Sequence, residues 1–115
     1  MLIVDDDPLV LETLVLQLRN CGFTPFGEAT AAAALRLCEK VQPCIAVVDY
    51  RMPGCGGDEL AAQLAKRFGI RCILLTGADD ETTRSAASQA GVSEYLVKPI
   101  DTATLLRSVS ALLER

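Results

Sequence analysis

Short apolar runs alternate with longer amphipathic segments along the 115-residue chain. The apolar runs predict strands at residues 2–5, 23–27, 44–49, 71–76 and 94–97. The intervening segments predict helices at residues 8–20, 29–40, 58–68 and 79–90, with a last helix after Asp101. Continuous apolar strands that alternate with helices are typical of a parallel sheet covered on both faces. The pattern therefore predicts an α/β, doubly wound fold, as one domain over residues 1–115.

Several helix boundaries carry their own signals. Pro8 suits the first turn of a helix, and Thr30 and Asp101 are suitable N-cap residues. We expect Asp7 to help begin the first helix. The fourth predicted helix contains no large apolar residue, so we expect only alanines to face the sheet there. Such a helix has little burial to hold it in place.

Composition narrows the classes of function. The net charge is −4 with no basic run, which argues against nucleic acid or an anionic membrane as a primary partner. No apolar stretch approaches the ~20 residues of a membrane span, and the N-terminal residues lack a signal-peptide pattern. Five cysteines without CxxC spacing and without any histidine argue against a zinc site. We expect free thiols in a reducing cytoplasm, with Cys55 exposed and open to reaction between its two glycines.

Polar residues follow the predicted strands. Asp5 and Asp6 follow the first strand, while Asp49, Thr76 and Lys98 follow the third, fourth and fifth. Because the carboxyl ends of parallel strands face one crevice, these side chains are expected to converge.

The convergence has a chemical consequence. Crowded carboxylates raise one another's pKa unless a cation is present, and a site of oxygen ligands without His or Cys suits Mg²⁺. Asp49 is the natural nucleophile, because an aspartate carboxylate can form an acyl phosphate. Lys98 is expected to pair with the phosphoryl oxygens, and Thr76 to donate a hydrogen bond to another.

Four stretches carry a resemblance to a known family. They are VDDDP (4–8), VVDYRMPG with a later glycine (47–57), LLTG (74–77) and YLVKP (95–99). Together they resemble the receiver (CheY-like) domain of two-component response regulators, over nearly the whole chain. The resemblance implies a flavodoxin-like (β/α)5 fold with strand order 2-1-3-4-5. It also implies that Asp49 is the phosphoacceptor.

The resemblance assigns further roles at the site. Asp6 is similar to the acid that binds Mg²⁺ directly, and Asp5 to its partner that acts largely through water. Arg51 stands where the family uses a backbone carbonyl as a metal ligand. Asp49 completes the implied metal site.

The resemblance also implies a switch. Thr76 is similar to the switch hydroxyl, and Tyr95 to the aromatic residue that turns inward when that hydroxyl moves. Pro99 implies a cis Lys98–Pro99 peptide bond. Arg51 and Ala78 occupy positions that tune dephosphorylation in this family.

Partners follow from the chemistry. Because the chain has no histidine, it cannot carry its own phosphohistidine. We therefore expect the phosphoryl group to come from a sensor histidine kinase, a histidine phosphotransfer protein or a small acyl phosphate. Leu9, Thr13 and Leu16 share a helix face away from the core stripe, and with Ile100 they predict a docking patch for that partner. The predicted output surface is the fourth helix, fifth strand and fifth helix, acting on an effector domain or in a homodimer.

Three other functions can each be weighed against a specific feature of the sequence. A haloacid-dehalogenase-type phosphohydrolase places a second Asp two residues after the nucleophile, where this chain has Arg51. A pseudo-receiver that binds passively does not need the intact acidic set. A flavin-binding protein of similar topology needs a Ser/Thr/Gly loop after the first strand, where Asp5 and Asp6 would repel phosphate.

Overall fold

A computed structural model describes residues 1–77, 81–92 and 94–114 of the chain. The elements in chain order are β1 (Leu2–Val4), α1 (Pro8–Asn20), β2 (Phe26–Glu28), α2 (Ala31–Lys40), β3 (Ile45–Asp49), α3 (Gly57–Phe68), β4 (Arg71–Thr76), α4 (Glu81–Ala90), β5 (Glu94–Val97) and α5 (Thr102–Leu113). The strands form one parallel sheet in the order β2-β1-β3-β4-β5. The predicted fold class and strand order are confirmed.

The sheet is covered on both faces because its central strands are apolar on both sides. Leu2 and Val4 of β1 face one apolar cluster, to which α2, α3 and Ala87 of α4 contribute. Ile3 faces the opposite cluster, which α1 and α5 complete. Every residue of β3 is buried. A strand with both faces buried reads as a continuous apolar run, which is why β3 was evident in the sequence.

Local sequence explains where the helices begin. The side chains of Asp7, Thr30 and Asp101 each accept a hydrogen bond from a backbone N–H in the first turn of the following helix. Pro8 lies in the first turn of α1. These caps satisfy donors that have no partner within the helix. The expected capping roles are therefore confirmed.

Two details of the prediction were wrong. The second strand was expected at residues 23–27 but runs from Phe26 to Glu28, where the Phe26 N–H donates to the Met1 carbonyl at 2.8 Å. Pro25 has no N–H to contribute to a ladder, so pairing begins after it. In α4, Thr83 is buried together with Ala87, so the buried face does not consist of alanines alone. Residues 79 and 80 of that predicted helix lie outside the described residues.

Within the described part of the chain, no helix combines the length and apolarity needed to cross a membrane.

Candidate functional site

Three acidic side chains meet at the carboxyl edge of the sheet. Asp49 ends β3, which lies between β1 and β4, and Asp5 and Asp6 follow β1 directly. Oxygen atoms of the three carboxylates lie within 4.8 Å of one another. Asp5 and Asp49 are buried, whereas Asp6 is exposed. The structure thus brings together the three acids that strand topology predicted would converge.

Asp5 is fixed on the protein side of this cluster. Its backbone N–H donates to the Glu28 carbonyl at 3.2 Å, which extends the pairing of β1 with β2. Its Oδ1 accepts from the Asp7 N–H at 2.9 Å. Asp7 itself points the other way and caps α1. The three consecutive acids therefore divide between the cluster and the helix start.

Lys98 supplies the positive charge at the site. Its Nζ donates to Asp49 Oδ1 at 2.8 Å and lies 3.4 Å from Asp5 Oδ2. The Lys98 N–H donates to the Thr76 carbonyl at 2.7 Å, which continues the pairing of β4 with β5 to this point. The Lys98–Pro99 peptide bond is cis, the conformation that the family resemblance implies.

The pKa values reflect burial and crowding. Burial raises the pKa of Asp49. The hydrogen bond from Lys98 lowers this pKa, whereas the negative charges of Asp5 and Asp6 raise it, and the net shift is upward. Burial alone would lower the pKa of Lys98, but its hydrogen bond and charge interactions with Asp49 and Asp5 outweigh that effect and raise it. Three carboxylates facing one ammonium leave uncompensated negative charge.

The donor set fits a hard divalent cation. The oxygens of Asp5, Asp6 and Asp49 are the kind of ligand that Mg²⁺ takes, and they are close enough together to share one ion. The one ammonium group of Lys98 faces three carboxylates, which leaves room for the charge of a cation. The exposure of Asp6 leaves one side of the cluster accessible from solvent.

The chain after β3 folds back onto that strand. The Tyr50 N–H donates to the Leu75 carbonyl of β4 at 2.7 Å, and the Gly57 N–H donates to the Tyr50 carbonyl at 2.8 Å. The intervening loop carries Arg51, whose side chain is exposed. This loop borders an open cleft of about 680 Å³ that reaches from Asp6 to Thr82 in α4. The sequence identified Gly57 only as the last glycine of the family stretch 47–57 and did not indicate this backbone contact.

The two predicted switch residues lie on adjacent strands. Thr76 is buried at the end of β4. Tyr95 of β5 pairs with Leu74 of β4 and packs, partly buried, against the apolar cluster beneath α3. The nearby Ala78 lies outside the described residues.

The predicted docking patch is only partly assembled. A groove of about 500 Å³ is lined by Leu9, Thr13 and Ile100, and also by Lys98 and Pro99. Leu9 is 72% exposed. Leu16 is also exposed, at 54%, but it does not line the groove. The groove extends along α1 as far as Gln17, but Leu16 is not part of its lining.

The expectation for Cys55 was wrong. Its side chain is half-buried rather than exposed, and burial, aided by Glu59 and Asp58, raises the pKa of its thiol. A raised pKa lowers the fraction of reactive thiolate. All five cysteines are free, which agrees with the absence of paired spacing.

The (β/α)5 sheet with an acidic cluster and a lysine at its carboxyl edge defines a receiver domain. The chain matches the response regulator receiver domain family over residues 1–110, and it belongs to that family. Receiver domains of this family act as phosphoacceptors in two-component signalling.

Individual relatives agree with this assignment. The chain is 34% identical over 114 residues to the heme response regulator HssR of Staphylococcus aureus (strain MRSA252), covering 99% of this chain and 51% of that protein. It thus spans about half the length of the curated relatives it matches. A putative response regulator from Chloroflexus aurantiacus superposes with a TM-score of 0.91 at 32% identity, covering 99% of this chain and 96% of that one. The signal receiver domain of a modulated diguanylate cyclase from Desulfovibrio desulfuricans superposes with a TM-score of 0.89 at 32% identity, covering 98% and 91%.

Proposed function

We propose that this chain is a phosphorylation-controlled switch in which Asp49 accepts the phosphoryl group. The donor is a phosphohistidine of a sensor histidine kinase or phosphotransfer protein, or a small acyl phosphate. The observation that carries the proposal is the meeting of Asp49 with Asp5, Asp6 and Lys98 at one edge of the sheet. The free thiols and a phosphohistidine donor are both in keeping with a location in the cytoplasm, which we include in the proposal.

The transfer has a simple balance of bonds. A carboxylate oxygen of Asp49 forms a bond to phosphorus, while the bond from phosphorus to the donor's nitrogen or oxygen breaks and its electron pair leaves with the donor. Lys98, already 2.8 Å from Asp49 Oδ1, is placed to pair with a phosphoryl oxygen. The Thr76 hydroxyl would donate to another phosphoryl oxygen. Apart from this self-phosphorylation and the later hydrolysis of the acyl phosphate, we assign the chain no enzymatic turnover.

A metal ion belongs to this proposal. The residues that would hold Mg²⁺ are Asp5, Asp6 and Asp49 through their carboxylates and Arg51 through its backbone carbonyl. When bound, the ion would neutralise charge on the phosphoryl group. The mutual closeness of the three carboxylates, faced by a single lysine, supports this assignment.

The proposed partner surface is the groove between α1 and the start of α5. Leu9, Thr13 and Ile100 line it and Lys98 connects it to the acidic cluster, so a docked kinase or phosphotransfer helix would lie next to Asp49. Leu16 would contribute only to a partner that extends beyond the groove.

The proposed output is a population shift at the face formed by α4, β5 and α5. Thr76 ends β4, directly before the chain turns towards α4, and Tyr95 lies on the neighbouring strand. Phosphorylation would draw the Thr76 hydroxyl towards Asp49 and let Tyr95 turn inward. The changed face would then control an effector domain or a homodimer.

The central test uses beryllofluoride, which mimics an aspartyl phosphate. With Mg²⁺, we expect stoichiometric binding to the wild-type protein, measured by ¹⁹F NMR and calorimetry, and its loss in Asp49→Ala. Asp58→Asn, which changes a neighbouring acid in the first turn of α3, is the matched control and should bind normally. Binding that survives Asp49→Ala would contradict the proposal. No binding to the wild-type protein would favour a passive pseudo-receiver, and sustained phosphate release from monoesters would favour a hydrolase.

The output is tested separately. Thr76→Val keeps the shape of the buried side chain and removes its hydroxyl. We expect beryllofluoride to shift amide resonances of α4 in the wild-type protein and in the exposed-threonine control Thr24→Val, but much less in Thr76→Val. Equal shifts in all three proteins would argue against a switch through this hydroxyl.

A further inference from the structure

We infer that Gly57 is a positioning residue for Asp49: it lets the first turn of α3 lie directly against the backbone that carries the acidic side chain. A Cβ built on Gly57 would lie 2.0 Å from the Asp49 carbonyl oxygen, 2.7 Å from its carbonyl carbon and 2.8 Å from the Tyr50 Cα. Real Cβ contacts essentially never fall below 3.0 Å. This inference rests on the proposed role of Asp49.

The requirement at Gly57 is for space rather than for an unusual backbone angle. The glycines with positive φ are Gly22, Gly54, Gly69 and Gly91, so an alanine at position 57 could adopt the required dihedrals. Alanine also favours a helix by ~1 kcal/mol relative to glycine. Helix propensity therefore gives no reason for a glycine at the start of α3, whereas close packing against β3 does.

The backbone on the other side of this contact cannot readily move away. The Tyr50 N–H donates to the Leu75 carbonyl of β4 at 2.7 Å, and Asp49 pairs in register with Leu75. From the α3 side, the Gly57 N–H donates to the Tyr50 carbonyl at 2.8 Å. Tyr50 is thus held by its N–H against β4 and by its carbonyl against α3, which fixes the backbone on the carboxyl side of the Asp49 carbonyl.

A side chain at position 57 would have to displace either α3 or this backbone. Displacing the backbone would move the Asp49 side chain, because that side chain extends from it. Its Oδ1 would shift relative to Lys98 Nζ, now 2.8 Å away, and relative to the oxygens of Asp5 and Asp6. Displacing α3 would break the Gly57 hydrogen bond that closes the loop carrying Arg51. Either movement disturbs the groups proposed to hold the cation.

The adjacent glycine provides a matched control. A Cβ on Gly56 would approach Asp58 Oδ1 at 2.6 Å, which is the end of a rotatable side chain rather than backbone. Gly56 has a φ of −64°, which any residue can adopt. Gly56→Ala and Gly57→Ala therefore add the same methyl group one residue apart, with opposite expected outcomes.

The test compares these two variants with the wild-type protein and with Leu64→Ala, which removes a buried side chain elsewhere in α3. Unfolding in urea, Mg²⁺ affinity and the rate of phosphorylation by acetyl phosphate at saturating Mg²⁺ are measured for each. We expect Gly57→Ala to lose at least tenfold in Mg²⁺ affinity and at least tenfold in rate, since small misplacements of reacting groups are costly. Gly56→Ala should stay within twofold of the wild-type values. Leu64→Ala should lose stability but keep the Mg²⁺ affinity of its folded fraction.

Wild-type Mg²⁺ affinity and rate in folded Gly57→Ala would overturn the inference, as would an equal loss in Leu64→Ala. If Gly57→Ala does not fold, hydrogen exchange on the wild-type protein decides. Coupling between two sites is reciprocal, so Mg²⁺ with beryllofluoride should slow exchange of the Gly57 amide at least tenfold more than that of the Leu64 amide. Equal slowing would overturn the inference. Failure of the wild-type protein to bind Mg²⁺ or beryllofluoride would instead be a failure of the proposed function.

Discussion

Helices α3 and α4 cover the same face of the sheet, yet they are attached to it differently. α3 buries Gly57, Leu60, Ala61 and Leu64, and its first residue touches the backbone of β3. The described part of α4 buries only Thr83 and Ala87. Large aliphatic side chains gain far more from burial than an alanine or a threonine. One helix is therefore anchored at both its core and its start, and the other rests on two small side chains.

This difference suits a switch. The anchored helix begins at the contact that holds the Asp49 backbone, where the proposed chemistry requires fixed geometry. The weakly held helix follows β4, whose last residue is Thr76. Elements that change conformation come from the less stable parts of a fold. The proposed acceptor Asp49 thus lies beside the firmly packed helix α3, and Thr76 precedes the loosely packed helix α4. This arrangement would keep the site of phosphorylation fixed while allowing α4 to respond to it.

The largest expected contrast concerns stability. Leu64→Ala, in the core of α3, should lower the free energy of unfolding by ~2–5 kcal/mol, because it removes a large buried side chain and leaves a cavity. Ala87→Gly, the matched truncation in α4, should cost only about 1 kcal/mol, mainly from helix propensity. Urea unfolding of both variants measures the difference. Equal losses would show that α4 is anchored as firmly as α3.

A smaller contrast is expected in the intact protein. Amide hydrogens in the middle of α4 should exchange at least tenfold faster than those in the middle of α3, which corresponds to about 1.4 kcal/mol in opening free energy. Native-state hydrogen exchange followed by NMR provides the comparison, and the amides of α5, which buries Leu105, Val109 and Leu112, serve as a second anchored reference. Protection in α4 that equals protection in α3 and α5 would remove the proposed basis of the switch.

The smallest expected effect depends on pH and is confined to Asp49. Its pKa is raised in the folded state, chiefly by burial, so the folded protein holds this proton more tightly than the unfolded chain. Its contribution to stability is therefore complete below the unfolded pKa and is lost as pH rises through the folded pKa. Without divalent cations, the stability of Asp49→Asn relative to wild type should rise from acidic to neutral pH. Ala87→Gly changes no titratable group, so its difference from wild type should stay constant with pH; a flat difference for Asp49→Asn would contradict the raised pKa.

The sequence was sufficient for the features that leave a pattern in it. Continuous apolar strands, helix caps and polar residues after the strands predicted the sheet and the meeting of Asp5, Asp6 and Asp49. These features are set by residue type and by position within a single strand or helix, so they can be read along the chain. The second strand was misplaced because Pro25 has no N–H for the ladder, so that the Phe26 N–H makes the first ladder bond, to the Met1 carbonyl.

Contacts between distant backbone atoms leave no such pattern. The family stretch 47–57 identified Gly57, but not that a Cβ at this position would collide with the Asp49 carbonyl. The burial of Cys55 and the position of Leu16 outside the groove depend on how a loop and a helix pack. These distances are properties of the folded chain, so residue types and spacing could not provide them.

Lys98 belongs to two surfaces at once. Its ammonium group holds Asp49, while its side chain also lines the groove with Leu9 and Ile100. A substitution that reshapes the groove will therefore also affect the lysine that faces the proposed acceptor, Asp49. Effects of groove and acid-cluster mutations should be non-additive, as they are for residues that share a contact.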